Sequence, residues 1–339
     1  MDHKTAVVIL NWNGVEQLRT FLPSVVTHTQ DAEIIVADNA STDNSVDWVR
    51  QHFPQIKIIS LPQNYGYAGG YNEALKFVDA DFLVLLNSDI EVTTGWLQPL
   101  INVLEHNPTV AACQPKILSY HDKTHFEYAG AAGGYIDKYG IPFCKGRIFK
   151  TIEADTNQYN QPTDIFWASG ACLTIRNTVF KQIGGFDADF FAHMEEIDLC
   201  WTIHRLGYSI QYVPNSTIYH VGGATLNKAN PKKTFLNFRN SLWMLQKHLP
   251  TTKLIGILLK RMCLDSLAAL HYLGQGQWKH FVAVFNAHMS FYFNGKNKGK
   301  REALSHLPFF YSDSDLFIEK SIIFEYYLKG KKTYRSLFK

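Results

Sequence analysis

Short apolar segments alternate with longer amphipathic ones through the first third of the chain. Four runs rich in Val, Ile and Leu have the length of buried strands, at residues 6–10, 34–37, 57–61 and 82–86. Segments with helical periodicity lie between them, for example at 15–28 and 44–53. Strands that alternate with helices form βαβ units, so the pattern predicts an α/β fold with a mainly parallel central sheet flanked by helices.

Polar residues follow each of the four predicted strands. Ligands of such sheets bind beyond the carboxyl ends of the strands, which makes these residues the first candidates for a binding site. They are Asn11, Asn13, Asp38, Asn39, Asn64, Asn87, Ser88 and Asp89. Three glycines, Gly66, Gly69 and Gly70, follow Asn64 within a few residues and would let the backbone approach a ligand. Helix caps and a tight turn are the structural alternatives for these polar and glycine positions.

The pattern changes after about residue 250, where helical periodicity continues without strands. Apolar residues then recur at helical spacing, in one stripe of Ile255, Leu258, Leu259 and Met262 and another of Trp278, Phe281, Val282, Phe285 and Met289. We therefore predict a main domain at 1–248 and a helical C-terminal region at 249–339.

The charge of the chain is concentrated in this C-terminal region. The net charge of the whole protein is only +3, which does not indicate a nucleic-acid binder, but residues 251–339 carry 14 Lys and Arg against 6 Asp and Glu. Basic residues of this part include Lys296, Lys298, Lys300, Arg301, Lys329, Lys331, Lys332, Arg335 and Lys339. Amphipathic helices with basic flanks either lie on an anionic membrane surface or pack on the main domain with their lysines in water.

The cysteines and the apolar runs indicate the compartment. The five cysteines are far apart and form neither a CxxC pair nor a zinc-ligand pattern, which favours a reducing cytoplasm. The N-terminus resembles a first strand rather than a signal peptide. Lys260, Arg261 and Asp265 interrupt the best candidate for a membrane span. These features predict a cytoplasmic protein that is at most peripheral on the inner face of the membrane.

Acidic residues and one histidine carry the candidate chemistry. Asp89 follows a wholly apolar strand and has the hard oxygen ligands that a divalent cation prefers. Glu195, Glu196 and Asp198 lie in an otherwise apolar helical segment, where burial would raise the pKa of a general base; a favourable helix dipole is the alternative reason for acids there. His220 follows a β-like run and could complete a metal shell.

Taken together and in this order, the segments resemble the family-2 glycosyltransferases of the GT-A fold. The similar segments are VVILNWNG, VADNASTDNS, NYGYAGGYN, LLNSD, ASGACLTIR, GGFDADFF, EEIDLC and the stretch from His220 to Gly222, and together they span about residues 4–245. Among these enzymes the chain is most similar to the bacterial branch that includes rhamnosyltransferases of cell-wall and O-antigen assembly.

The resemblance implies roles for the matching positions. Asp38 would lie near the nucleobase, and Asp89 and His220 would bind a divalent cation, Mn²⁺ or Mg²⁺. In related enzymes the second member of a Glu-Asp pair is the catalytic base, which here is Glu196 in a Glu-Glu pair, so Glu195 stays an alternative base. Asn87 stands at the first acid of the usual Asp-x-Asp metal motif.

The implied reaction is an inverting transfer of a sugar from a nucleotide diphosphate, such as dTDP-rhamnose or a UDP-sugar, to a saccharide or polyprenyl-linked acceptor. Further donor contacts are expected from the polar strand ends, from Gly69 and from Arg239, for which a structural salt bridge is the alternative. Acceptor contacts are expected from Trp167, Ser169, Gly170, Asp198 and the loop at 190–193.

Two other classes of function compete with this interpretation. A nucleotidyltransferase also uses an α/β sheet and a divalent ion, but its Gly-rich loop with a basic residue is absent after the first predicted strand. A glycan- or lipid-binding protein that keeps the fold without catalysis would be favoured by loss of the acids, which this chain retains.

Overall fold

The computed structural model describes residues 3–222, 230–293, 301–302, 304–310 and 316–338. The strands are, in chain order, β1 (Thr5–Asn11), β2 (Glu33–Asp38), β3 (Lys57–Ser60), β4 (Phe82–Asn87), β5 (Ile90–Val92), β6 (Val110–Ser119), β7 (Gly134–Asp137), β8 (Pro142–Cys144), β9 (Arg147–Ile148), β10 (Thr151–Ile152), β11 (Thr163–Asp164), β12 (Cys172–Arg176), β13 (Ser209–His220) and β14 (Phe317–Ile318). The α-helices are α1 (Val15–His28), α2 (Ser45–His52), α3 (Gly66–Ala74), α4 (Gln98–His106), α5 (Asn177–Ile183), α6 (Glu195–Arg205), α7 (Pro231–His248), α8 (Thr251–Gly274), α9 (Trp278–Phe293) and α10 (Ile322–Tyr327).

Nine strands form a large sheet in the order β11-β13-β6-β12-β4-β1-β2-β3, with β5 paired to β13 outside this path. The neighbours β4, β1, β2 and β3 are parallel, which confirms the parallel block predicted from the alternating first third. By contrast, β12 runs antiparallel to both β4 and β6. A long insertion rather than a crossover helix precedes β12, so the connection does not require a parallel strand.

The structure confirms the predicted strands and helices of the first third. The strands could be predicted because both faces of the sheet are covered. Along β1, Val8 belongs to the apolar core on one face, whereas Val7 and Ile9 belong to the core on the other. A strand buried on both faces needs an unbroken apolar run, and this is the pattern that its sequence shows.

The insertion between β6 and β12 forms a second, smaller sheet, in the order β10-β9-β8-β7-β14. Its last strand, β14, comes from the C-terminal region and pairs in parallel with β7. Helices α8 and α9 also pack on each other and on α7. The chain on both sides of residue 248 therefore shares one sheet, and the boundary placed there stays a prediction.

Helix α8 buries an ion pair and exposes several apolar side chains. Its inner face carries Leu254 and Ile257 but also buries Arg261 and Asp265, which form an ion pair. The sequence left two alternatives for the apolar stripe, and three of its residues do not pack on the main domain: Ile255 is 63% exposed, Leu259 56% and Met262 42%. The other residue of that stripe, Leu258, is partly buried against the core. The basic positions Lys296, Lys298, Lys300 and Lys339 lie outside the described residues.

Candidate active site

The carboxyl ends of β1, β2 and β4 meet at one edge of the sheet. Asn11 and Asp38 are direct partners in the register of β1 and β2, and Asn87 pairs with the residue before Asn11. The Asp38 carboxylate is buried, where it accepts hydrogen bonds from Asn11 Nδ2 at 3.2 Å and from the Ser41 backbone N–H at 3.0 Å. The structure thus brings the predicted strand-end residues together.

Several of these polar side chains are engaged in shaping the loops. Asn39 Nδ2 donates to Asn64 Oδ1 at 3.1 Å and to the Gly66 carbonyl at 2.9 Å, and Asn64 Oδ1 also accepts from the Gly66 N–H. The turn needs glycine at Gly66, because φ is +73° and a Cβ would lie 2.6 Å from the Phe191 ring. The structure therefore gives the Asn39 and Asn64 amides a loop-holding role.

Two more positions predicted to bind the donor also have local structural partners. Asn13 Oδ1 accepts from the Thr42 backbone N–H at 2.7 Å, which joins the loops after β1 and β2. Gly69 lies in α3, where a Cβ would come within 2.9 Å of the Tyr65 Cβ. Close packing inside the helix explains this glycine without a ligand.

The turn after β4 places Asp89 against the end of β13. Asn87 and Ser88 are half-buried in this turn, and Asp89 Oδ1 lies 3.2 Å from His220 Nε2. The other ring nitrogen of His220, Nδ1, lies 3.3 Å from Glu127 Oε2. All three side chains are nearly excluded from solvent, with exposed fractions of 5% each.

Burial and charge act in opposite directions on this group. Burial by itself would lower the pKa of His220, but the two carboxylates outweigh it and raise this pKa to about 10. Burial would raise the pKa of Asp89 and of Glu127, yet contact with His220 and with backbone N–H groups holds both below their usual values. The group is therefore a strongly coupled set of one imidazole and two carboxylates.

Asp89 and His220 fit the binding of a divalent cation. Their facing donor atoms are 3.2 Å apart, so both could contact one ion, since such ligands bind at about 2.0–2.2 Å. Across the described part of the chain, no set of three or more His, Cys, Asp or Glu side chains is arranged to hold a metal. A cation here would therefore take its other ligands from water and from the substrate, as in open catalytic sites.

The acidic pair lies at the first turn of α6. A loop with left-handed backbone at Phe191, His193 and Met194, with φ of 64°, 68° and 73°, leads into Glu195 and Glu196. Non-glycine residues in this region cost free energy and persist where the surroundings hold them. Within the described residues, Oε2 of each glutamate is buried without a hydrogen-bond partner. The loop thus leads into two carboxyl groups that each keep one oxygen without a hydrogen-bond partner among the described residues, while backbone N–H groups of the same turn contact the Glu196 carboxyl.

The environment of this pair favours protonation. Burial raises the pKa of Glu196 to about 7. Burial and then the charge of Glu196 raise the pKa of Glu195 well above its usual value. A carboxyl group with a pKa near neutrality can accept a proton and release it again, which is what a general base requires.

Two residues in the middle of α7 hold the loop in front of the pair. Asn240 is fully buried, and its Nδ2 donates to the carbonyls of Phe190, Ala192 and His193 at 2.7–3.0 Å. The Arg239 guanidinium donates to the Phe190 carbonyl and to Asn240 Oδ1. These contacts make Arg239 a clamp on the loop, and its contact with the donor stays a prediction.

Two of the predicted acceptor positions have structural partners, and their acceptor role stays a prediction. Asp198 is 1% exposed, and its carboxylate pairs with Lys247 Nζ at 2.5 Å and with His248 Nε2 at 2.9 Å. Trp167 is buried against Gly134, and its Nε1 donates to the Tyr135 carbonyl at 3.0 Å. Both side chains are thus engaged in contacts within the fold.

Ser169 and Gly170 lie between the two parts of the site. The Ser169 hydroxyl donates to the Ala129 carbonyl at 2.9 Å, and the Gly170 carbonyl accepts from the Tyr67 hydroxyl at 2.6 Å. The charges of Glu195 and Glu196 act on Tyr67, which shows that they lie near it. These contacts connect the neighbours of Glu127 to the acidic pair.

Glu127 is the residue of this site that sequence reasoning missed. It stands in HFEYAGAAGG between β6 and β7, a segment without strand or helix periodicity or other acids. Its only sequence signal is an acidic residue among apolar and small residues.

A glycosyltransferase of the GT-A fold fits this combination of polar strand ends, an aspartate–histidine pair and an acidic pair with raised pKa values. A sequence profile of Glycosyl transferase family 2 matches residues 6–184, more than half of the chain. The protein belongs to this family.

Curated relatives carry the same kind of activity in their names. The N-acetylglucosaminyl-diphospho-decaprenol L-rhamnosyltransferase of Mycobacterium tuberculosis is 26% identical over 234 residues, which cover 63% of this chain and 75% of the relative. The pre-mycofactocin glycosyltransferase of the same organism is 25% identical over 240 residues, which cover 69% of this chain and 46% of the relative.

Solved structures show the same fold at low identity. The mannosyltransferase PcManGT from Pyrobaculum calidifontis, in complex with GDP-Man and Mn²⁺, has a TM-score of 0.53 at 14% identity and covers 86% of this chain and 88% of its own. GalNAc-T7 with UDP, GalNAc and Mn²⁺ has a TM-score of 0.52 at 18% identity and covers 64% of this chain and 43% of its own. The GT-A fold predicted from the sequence is confirmed by these neighbours.

Proposed function

We propose that the protein transfers a sugar from a nucleotide diphosphate to a hydroxyl group of a saccharide or lipid-linked saccharide, with inversion at the anomeric carbon. The observation that carries this proposal is the buried pair Glu195 and Glu196 at the end of a strained loop, where each carboxyl keeps one oxygen without a hydrogen-bond partner among the described residues. A hydroxyl group must lose its proton as it attacks the sugar, and the pair can take that proton. The family and its relatives support the same reaction class.

Within the pair, Glu196 is the proposed base. It is half-buried, whereas Glu195 is only 4% exposed, so Glu196 is more open to an acceptor. Asn240 and Arg239 fix the carbonyls of the preceding loop and so hold this carboxyl group in place. Positioning of this kind is a large part of catalysis in a single displacement.

Asp89 and His220 are the proposed ligands of a divalent cation, Mn²⁺ or Mg²⁺. Such a cation supplies positive charge that neutralises the diphosphate leaving group. The distance between the two donor atoms fits a shared ion, and two structural neighbours contain Mn²⁺. Asp38 and Asn11, at the neighbouring strand ends, are proposed to line the nucleoside side of the donor site, with Ser88 and Asn87 nearer the diphosphate.

A small panel of nucleotide sugars can identify the donor. The relatives and neighbours are named for L-rhamnosyl transfer or were solved with GDP-Man or UDP, so dTDP-rhamnose, GDP-mannose and UDP-sugars are the donors to test. We expect one of them to release nucleoside diphosphate only when Mn²⁺ or Mg²⁺ is present. Asp89→Ala should abolish this release, whereas Asp79→Ala, at an exposed ion pair with Lys4, should not. Release that is independent of metal, or equal in the Asp89 variant, would contradict the metal role.

The C-terminal helices suggest where the acceptor is met. Among the described residues, no helix is long and apolar enough to cross a membrane. The outer faces of α8 and α9 are nevertheless strongly apolar, with Leu267 63% and Phe285 58% exposed. A helix that buries an arginine and exposes leucines is arranged for an apolar environment outside the protein.

We propose that this outer face lies in the surface of an anionic membrane, on its cytoplasmic side. Lys260 and Lys279 are exposed beside the apolar stripes, and basic residues next to an apolar helix face favour anionic lipids. A lipid-linked acceptor, as the name of the mycobacterial relative describes for that enzyme, would be reached from such a position.

Vesicle binding tests the membrane proposal. The protein should co-sediment with vesicles that contain phosphatidylglycerol, and the double variant Ile255→Glu with Leu259→Glu should lose most of this binding. Phe77→Glu is the matched control, because Phe77 is equally exposed, at 63%, but lies far from α8 in the sequence and outside the apolar face. Unchanged binding in the double variant would contradict the proposal, as would a stable dimer in which the same face is buried between two copies.

A further inference from the structure

Glu127 contacts the candidate metal site from the side opposite Asp89. Its Oε2 lies 3.3 Å from Nδ1 of His220, while Nε2 of the same ring lies 3.2 Å from Asp89 Oδ1. The imidazole is therefore held between two carboxylates, one at each nitrogen. Only the Nε2 side faces the residue proposed to share a cation with it.

The surroundings leave this carboxylate little freedom to move. Glu127 is 5% exposed, and its Oε2 also accepts a hydrogen bond from the Ala129 backbone N–H. On the far side, a Cβ at Gly222 would lie 2.5 Å from Glu127 Oε1, and φ at Gly222 is +74°. The carboxylate thus lies between His220 and Gly222. It is so close to Gly222 that this position has no room for a side chain.

A buried carboxylate needs a reason to be there, because removing its charge from water is costly. An imidazole that binds a cation through Nε2 must carry its proton on Nδ1, and an acceptor at Nδ1 sets both the tautomer and the rotation of the ring. A carboxylate at Nδ1 also makes the ring a stronger donor to the cation. Glu127 Oε2 lies 3.3 Å from Nδ1, an ion-pair contact that lacks hydrogen-bond geometry in this structure, and is placed to serve as this acceptor.

We propose that Glu127 is a positioning residue that orients His220 for the divalent cation. The proposal rests on the cation-binding role given to Asp89 and His220 above. It predicts that loss of Glu127 weakens cation binding, while the acidic pair at α6 keeps its chemistry once the site is saturated.

The test is Mn²⁺ binding, measured from the electron paramagnetic resonance signal of free Mn²⁺, with and without UDP, GDP or dTDP. Glu127→Ala should weaken Mn²⁺ binding by about 10–100-fold. Glu127→Gln should weaken it less, because the amide oxygen can still accept from Nδ1–H. Glu91→Gln is the matched control, since Glu91 lies two residues from Asp89 but pairs with Lys123 and leaves His220 untouched.

Kinetics and a cobalt spectrum separate positioning from general damage. The Mn²⁺ concentration for half-maximal transfer should rise in Glu127→Ala, while kcat at saturating Mn²⁺ stays within a few-fold of wild type. The visible absorption of the Co²⁺-loaded protein should change in Glu127→Gln and not in Glu91→Gln. Thermal unfolding checks that the variants are folded, and if Glu127→Ala is not, the isosteric Gln variant carries the test.

The contrary outcomes are distinct. A lower unfolding temperature with unchanged Mn²⁺ affinity and Co²⁺ spectrum would show that Glu127 is merely structural and would overturn the inference alone. Loss of Mn²⁺ binding in Glu127→Gln as complete as in Asp89→Ala would make Glu127 a ligand and overturn the positioning role. A wild-type protein that binds no Mn²⁺ under any of these conditions would overturn the inference together with the proposed metal role.

Discussion

The first turn of α6 carries buried carboxyl groups in opposite electrostatic states. Glu195 and Glu196 form no ion pair among the described residues, and burial raises the pKa of both. Asp198 is also buried, yet contacts with Lys247 and His248 outweigh burial and lower its pKa to about 2. Burial therefore does not decide whether a carboxyl group is reactive; its partners do.

The difference has a structural origin. Asp198 contacts α7, which supplies the two cationic or hydrogen-bonding side chains, whereas Glu195 and Glu196 follow directly on the loop at 190–194. Within one helical turn, one carboxylate is anchored to the fold by charge, and the two glutamates have no cationic partner among the described residues. Three experiments can break or sharpen this comparison.

The largest effect is expected on the reaction rate, at the acidic pair. Glu196→Gln keeps the shape of the side chain but removes the proton acceptor, so kcat should fall by about 10²–10⁴-fold. The thermal unfolding temperature should not fall, because Glu196 makes no ion pair in the described fold. Initial rates of nucleoside diphosphate release with an acceptor present measure the change.

Glu195→Gln is the matched comparison for that variant. If this variant abolished transfer while Glu196→Gln kept near-normal rates, the base would be Glu195. A similar loss in both would assign the proton to the pair as a unit.

At the paired carboxylate, Asp198, the effect should appear in the free energy of unfolding rather than in the reaction rate. Asp198→Asn removes the charge that balances Lys247, and breaking such a buried pair typically costs about 3–5 kcal/mol. We expect roughly 2–3 kcal/mol here, because Asp187 stays within 3.5 Å of the Lys247 ammonium. Denaturant unfolding measures the loss, and activity per folded molecule should be little changed.

The control for this variant is Asp47→Asn on α2, where an exposed pair with Arg50 is worth at most about 0.5 kcal/mol. Equal stability of the two variants would show that Asp198 does not anchor the helix. A large loss of kcat in folded Asp198→Asn would restore a direct role in the reaction.

The smallest effect is expected in the pH dependence. The base must be deprotonated, so kcat/KM should fall about tenfold per pH unit below an apparent pKa near 7, which belongs to the pair Glu195 and Glu196. The pKa of Asp198 is lowered instead, so its contribution to stability is present above about pH 4 and is lost as pH falls toward 2. Measured between pH 5 and 8, activity should therefore change while stability from Asp198 does not. A flat rate profile in that range would contradict the raised pKa of the pair.

Much of the fold could be predicted because the relevant signals are local. Strands β1, β2, β3 and β4 are covered on both faces, so each needs an unbroken apolar run, and the polar residues at their ends mark the ligand edge. The order of the motifs was enough to indicate the family, which the sequence profile confirms. Asp89, His220 and the acidic pair were found by residue type, and their roles stay predictions.

Other features could not be predicted because side-chain direction depends on distant elements. Helical spacing identified the stripe at Ile255, Leu259 and Met262, but not that α8 turns it outward and buries Arg261 against α7 and its own Asp265. An acceptor role for Asp198 was predicted from its place beside the acidic pair. The sequence did not show that Lys247 and His248 of α7 contact its carboxylate.

The sequence by itself determined the α/β class, the strand ends that form the site and the acids available for chemistry, since these depend on patterns within a few residues. The tertiary structure decided which of those acids is paired, which face of α8 meets solvent, and that Glu127 reaches His220 from 93 positions earlier in the chain. The pKa of a carboxyl group depends on charges within a few ångströms, and those charges come from segments that only folding brings together.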